Sequence, residues 1–124
     1  MTASELNSLL QSNVLEVVFT RRRPVNGKPS TRRMLCTLSE SILNSVNGRT
    51  VLNYIPPSRK IMYNPTSKNL SMAWDIMMQS FRMIPAESTA VVRSYPDSDN
   101  SFWEFFNDSI LTLSSEQKTT FMQS

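Results

Sequence analysis

The chain has 124 residues, of which 40% are apolar and 19% charged, with a net charge of +3, one cysteine and no histidine. That length suits one domain with a modest core, and the balance of apolar and charged residues excludes a wholly disordered chain. Without histidine, Ser-His-Asp and Cys-His catalysis and most zinc sites are excluded, and a lone Cys36 excludes an internal disulfide.

The N-terminus, Met1-Thr2-Ala3-Ser4-Glu5, has an acid and no basic n-region, so no signal peptide is expected. With a single cysteine this points to a reducing intracellular compartment. The longest apolar runs are only a few residues, far short of the ~20 that span a bilayer, so no membrane association is expected. Residues 2–11 read as a short helix: Thr2 and Glu5 have capping-box spacing, and Leu6, Leu9 and Leu10 share a face that must dock on something.

Residues 14–20 (VLEVVFT) and 31–38 (TRRMLCTL) are β-branched or alternating and read as paired strands. Met34, Cys36 and Leu38 form one face; Arg33, Leu35 and Thr37 form the other, mostly outward. Asn26-Gly27 is a strong turn dipeptide, but Pro24 and Pro29 flank it and predict a loose loop. Residues 39–48 look like a short helical insert, with Ser39 as cap, Ile42, Leu43 and Val46 inward and Gly48 as stop. A third strand is expected over 49–55 (RTVLNYI), ended by Pro56-Pro57, with a long connection to residue 69.

Residues 70–77 and 80–84 read as a hairpin, 85–88 as a one-turn 3₁₀ feature and 89–94 as a closing strand. Trp74 and Phe81 are expected as cross-strand neighbours, with Asp75 and Arg82 paired on the other face. Met72, Met77, Met78 and Met83 read as adaptable core filling. After a polar break at 95–100, Asn100 or Ser101 caps a helix to about Leu113, with Phe102, Trp103, Phe106, Ile110 and Leu113 along one face. Residues 114–124 read as a frayed helix or a disordered tail.

Val18-Phe19-Thr20, Arg32 to Leu38, Trp74-Asp75, Phe81-Arg82 and Glu87-Ser88, in this order and spacing, resemble a family of small tailed-phage proteins with a WYL-like, Sm-like SH3 β-barrel. The expected fold is therefore mainly β with peripheral helices: a small SH3/Sm-like antiparallel β-barrel with its N-terminal helix over residues 1–95, and an aromatic C-terminal helix over 96–124, packed on the barrel or partly disordered. The resemblance implies a role in binding nucleic acid or nucleotides, or in regulating transcription, in the cytoplasm of an infected host cell.

Charge is distributed unevenly. Residues 1–95 hold twelve Lys/Arg against five Asp/Glu, whereas 96–124 hold only Lys118 against five acids. Arg21, Arg22, Arg23, Lys28, Arg32 and Arg33 crowd one hairpin end without an acid among them. Arginine forks donate to phosphates in pairs, so these six are the candidate phosphate contacts. Arg59, Lys60 and Arg82 extend the candidate set: Arg59 and Lys60 with Tyr54 and Tyr63 as stacking faces, Arg82 with Arg93 along a groove. The same charges and prolines also suit a soluble loop that protects a sheet edge.

With only two glycines there is no phosphate-cradling loop, and no pair of acids has spacing that demands general acid–base work. The expectation is a non-enzymatic protein with no cofactor and no metal. A second reading is an interaction module that docks on a host or phage protein through a sheet edge or through Trp103 and Phe105, and a third is a virion component.

Overall fold

The computed structural model describes residues 1–21, 26–56 and 68–123, with Met122 and Gln123 by backbone alone. Thr2 caps the first helix, α1 (Ala3–Ser12), and the reciprocal Thr2–Glu5 capping box is present. Two strands follow, β1 (Asn13–Thr20) and β2 (Thr31–Thr37), paired from Val14↔Thr37 to Thr20↔Thr31. In their connection Asn26 and Gly27 both take positive φ, 53° and 75°, while residues 22–25, and with them Pro24, lie outside the described residues.

Two short helices come next, α2 (Glu40–Leu43) and α3 (Val46–Thr50). Ser39 does stand at the N-cap of α2, but its hydroxyl makes no capping bond. It donates instead to Asp97 (2.7 Å), tying this insert to the end of the last strand. Gly48 lies within α3 rather than after it, and a Cβ there would collide with the carbonyl oxygens of Ile42 and Leu43.

The third strand expected over 49–55 is not formed. Arg49 and Thr50 complete α3, and Val51 and Leu52 turn back to donate to the Asn47 carbonyl. Asn53 then takes φ 53°, and the Tyr54 amide reaches the Gly48 carbonyl. Local β-propensity yields here to the anchoring of Leu52 in the core.

β3 (Leu70–Asp75) and β4 (Ser80–Pro85) form the second hairpin. Trp74 opposes Phe81, and their rings meet edge to face at 5.1 Å; Tyr54 packs edge-on against both. A 3₁₀ turn at Ala86–Ser88 leads into β5 (Ala90–Pro96). Helix α4 (Ser101–Phe105) passes into a π-helical turn at Phe106–Ile110, and α5 (Ser115–Gln123) ends the described chain.

The five strands make one antiparallel sheet in the order β4-β3-β2-β1-β5. Among the described residues it is not closed into a barrel. β4 and β5 are its two edges, and the ladder joining β2 to β3 has only two pairs, Cys36↔Asp75 and Thr37↔Trp74. The Ser88 hydroxyl exchanges hydrogen bonds with the Thr20 backbone at the corner instead. A bulge where β1 passes from Glu16 to Val17 shifts the register with β5, from Arg93 to Val91, and bends the sheet.

Both faces of the sheet are covered, so the fold is mixed α/β rather than mainly β. On one face Leu15, Val17, Phe19, Met34, Cys36, Ala73 and Ile84 pack with Ala3, Leu6 and Leu10 of α1. On the other, Val14, Leu35, Trp74 and Ile76 pack with Ile42, Leu43, Leu52, Phe102, Phe106 and Ile110. This is why Leu35, expected to face mostly outward, is buried; Thr37, on which the same expectation fell, is buried where its hydroxyl meets the Asn13 carbonyl (2.9 Å) at the end of α1. The polar break and the aromatic helix thus return residues 102–110 to the same core as β1–β3. Of the methionines expected as filler, Met72, Met77 and Met83 are half-buried and Met78 is exposed.

Cys36 is fully buried beside Asp75, and burial pushes its thiol far above the ordinary range, with the Asp75 charge adding to the effect. The thiol should resist a disulfide-exchange reagent in native protein and react on unfolding. Prompt stoichiometric labelling without denaturant would contradict this packing.

Candidate functional site

The β1–β2 register decides where the arginines go. Phe19 opposes Arg32, and the alternation that turns Met34 and Cys36 onto the α1-covered face turns Arg32 onto it as well. On β4, Arg82 opposes the buried Ala73 and so joins the same face. The result is a pocket of about 420 Å³. The end of the β1–β2 hairpin supplies one wall with Phe19, Arg21, Arg32 and Met34; β4 supplies the other with Arg82, Met83 and Pro85.

Asp75 governs Arg32. The Asp75 side chain is 1% exposed, and its Oδ2 accepts from Arg32 Nη2, whose own side chain is 14% exposed. Its Oδ1 accepts the amides of Met77 (3.2 Å) and Met78 (3.1 Å) in the β3–β4 turn. The pairing expected between Asp75 and Arg82 is therefore replaced by Asp75–Arg32, although the Arg82 charge still acts on the carboxyl. Burial pushes the Asp75 carboxyl above its ordinary pKa; the Met78 amide, the two guanidinium groups and the Met77 amide pull the other way.

The other basic residues separate. Lys28 is exposed in the loop, near the Asn26-Gly27 turn. Arg33 lies on the opposite face of β2 from Arg32, with the Phe121 ring of α5 5.3 Å from its guanidinium carbon. Its Nε is buried with no hydrogen-bond partner among the described residues. Arg93 faces Glu16 at 3.9 Å and does not share the groove with Arg82. Arg22, Arg23, Arg59, Lys60 and Tyr63 lie outside the described residues. Tyr54, expected to stack with a base, is half-buried against Trp74 and Phe81 and carries Arg49 over its ring at 5.5 Å.

Trp103 and Phe105 are both half-buried. Phe105 stacks on Tyr95 at 4.8 Å, and Trp103 packs against Phe102 and Phe106.

Protein-family models, curated proteins and solved structures were each compared with this chain, and none matches. The site therefore rests on its own geometry. No helix among the described residues is long and apolar enough to cross a membrane.

Sequence reasoning missed Phe19, Met34, Met83 and Pro85 as pocket walls and Asp75 as the partner of Arg32. Strand parity was the available signal for the first wall: Arg32 and Met34 are two apart and must share a face. Nothing in the sequence links Asp75 to Arg32 across 43 residues.

Proposed function

We propose that this protein is a non-enzymatic binding module that holds nucleic acid or a nucleotide by its phosphates at the arginine-lined pocket and the adjoining hairpin end. The observation that carries this reading is the convergence of Arg21, Arg32 and Arg82 on one concave site whose remaining walls are apolar. Guanidinium forks donate to phosphate oxygens in pairs, and apolar walls accept the rest of the ligand. The exposed Lys28 would add a sequence-independent contact near the loop turn.

The finer fold reading belongs with this proposal. A capping helix, four strands, a 3₁₀ turn and a fifth strand in the order found support an SH3/Sm-like chain in open form. On the resemblance described above, the protein would act by occupancy, as a phage accessory regulator in the infected cell.

The test is binding to fluorescent single-stranded DNA and RNA at low and moderate salt. Arg21→Ala combined with Arg82→Ala should weaken binding about ten- to a hundredfold, the loss of one or two charge-assisted contacts. The slope of log K against log salt should become shallower by roughly 0.7 for each contact removed. Absence of binding by the unmodified protein, at low salt, to both strands and to a nucleoside monophosphate would refute the reading.

A second reading, docking of a partner protein at the sheet edge, draws on β5. Among the described residues its outer side has no strand partner in the sheet, and Val92 is exposed. An unpaired edge of this kind can add a strand from another chain.

A further inference from the structure

We infer, building on the phosphate-binding reading above, that the pocket selects a terminal phosphomonoester attached to an apolar or flat group, in preference to the internal diester phosphates of a nucleic-acid backbone. Charge balance is the first argument. Arg21, Arg32 and Arg82 meet at the pocket, and among the described residues Asp75 is the carboxylate seen paired there, three positive charges against one negative. A phosphomonoester carries about −1.5 to −2 at neutral pH, whereas a backbone diester carries a single charge. The monoester also presents three terminal oxygens to guanidinium forks.

Shape is the second argument. A concave site of about 420 Å³ is the size of a small-molecule pocket, not of a surface that follows a duplex. The phosphates of a duplex lie along the outside of a stiff rod, and a contact of that kind needs a row of cations on an open face. Here Arg32 points onto the α1-covered face and is held there by Asp75, which is itself fixed by two turn amides. Such a site is preorganised for one compact group. Phe19, Met34, Met83 and Pro85 give the group attached to the phosphate an apolar surface to cover.

Two sources offer this chemistry: a free nucleoside monophosphate and the phosphorylated end of a strand. The experiment measures the full-length protein at low salt, by fluorescence anisotropy, against short single strands with a 5′-phosphate or a 5′-hydroxyl and against a duplex lacking terminal phosphates. Competition by adenosine monophosphate, adenosine and inorganic phosphate completes it. The 5′-phosphate should tighten binding about tenfold, the gain of one charged contact. Adenosine monophosphate should compete, while adenosine and inorganic phosphate should compete far less. Arg82→Ala should weaken binding of both strands and abolish the difference between them, so that the 5′-phosphate and 5′-hydroxyl strands bind alike. Tighter binding of the monophosphate than of the strand end assigns the free nucleotide as ligand; the reverse assigns the strand end.

Equal affinity for 5′-phosphate, 5′-hydroxyl and duplex would overturn this inference and leave the broader phosphate-binding reading intact. Inorganic phosphate competing as well as adenosine monophosphate would also overturn it. Failure of every probe to bind would overturn both.

Discussion

Phe102→Ala should lower the stability of the whole protein by about 3–5 kcal/mol, the range for removing a large aromatic ring from a packed core. The ring is 0% exposed. It lies 4.9 Å from Trp103, 5.7 Å from Phe106 and 6.5 Å from Tyr95, so its loss opens a hole that three aromatic neighbours cannot fill without moving. In a chain of this size the change corresponds to a fall in melting temperature of roughly 10–20 °C. Urea unfolding followed by far-UV circular dichroism and tryptophan fluorescence measures it. Both probes should shift together, because Trp74 on the sheet and Trp103 on α4 belong to one cluster. Leu111→Ala, at a side chain 58% exposed, should change stability by less than about 0.5 kcal/mol. If Phe102→Ala shifted only the Trp103 signal, the C-terminal helices would be a separately folding attachment.

This test bears on how much of the architecture is readable from residue order alone. Local chemistry was legible: the Thr2–Glu5 capping box, the pairing of β1 with β2, the Trp74–Phe81 pairing and the 3₁₀ turn before β5 each depend on residues close in the chain or on strand parity. What could not be read depended on distant partners. VLNYI has the composition of a strand, yet Gly48 lets α3 settle against the carbonyls of Ile42 and Leu43, and the chain then folds back on itself. Leu35 looked outward-facing because the helix that packs over it lies more than sixty residues later. The same limit applied to the site. Arg32 and Arg33 are neighbours in a basic run, but strand geometry sends them to opposite faces, one to Asp75 and the other beneath Phe121.

Asp75 is where fold and site meet, and Asp75→Ala should cost about 3–5 kcal/mol, the penalty for breaking an ion pair whose carboxylate is buried. The alanine would also orphan the Met77 and Met78 amides in the β3–β4 turn. Asp75→Asn keeps an oxygen for those amides but removes the charge and turns an NH2 donor toward Arg32, so its loss should still be smaller than that of the alanine, about 1–3 kcal/mol. The pH dependence separates burial from pairing. Because burial outweighs the amides and the guanidinium groups, the folded carboxyl binds its proton more tightly than the unfolded one. The contribution of this group to stability is therefore full below the ordinary carboxylate pKa and falls as pH rises through the folded value. Arg32→Met removes one of the opposing charges, so the fall should continue to higher pH. Asp75→Asn removes the titrating group, and the slope should disappear. Urea midpoints for the three proteins from pH 3 to pH 8 give the answer. A wild-type stability that rises across that window relative to Asp75→Asn would mean that attraction to Arg32 exceeds the cost of burial. The ion pair would then be a net source of stability, whereas the geometry assigns it the positioning of a guanidinium at the pocket wall.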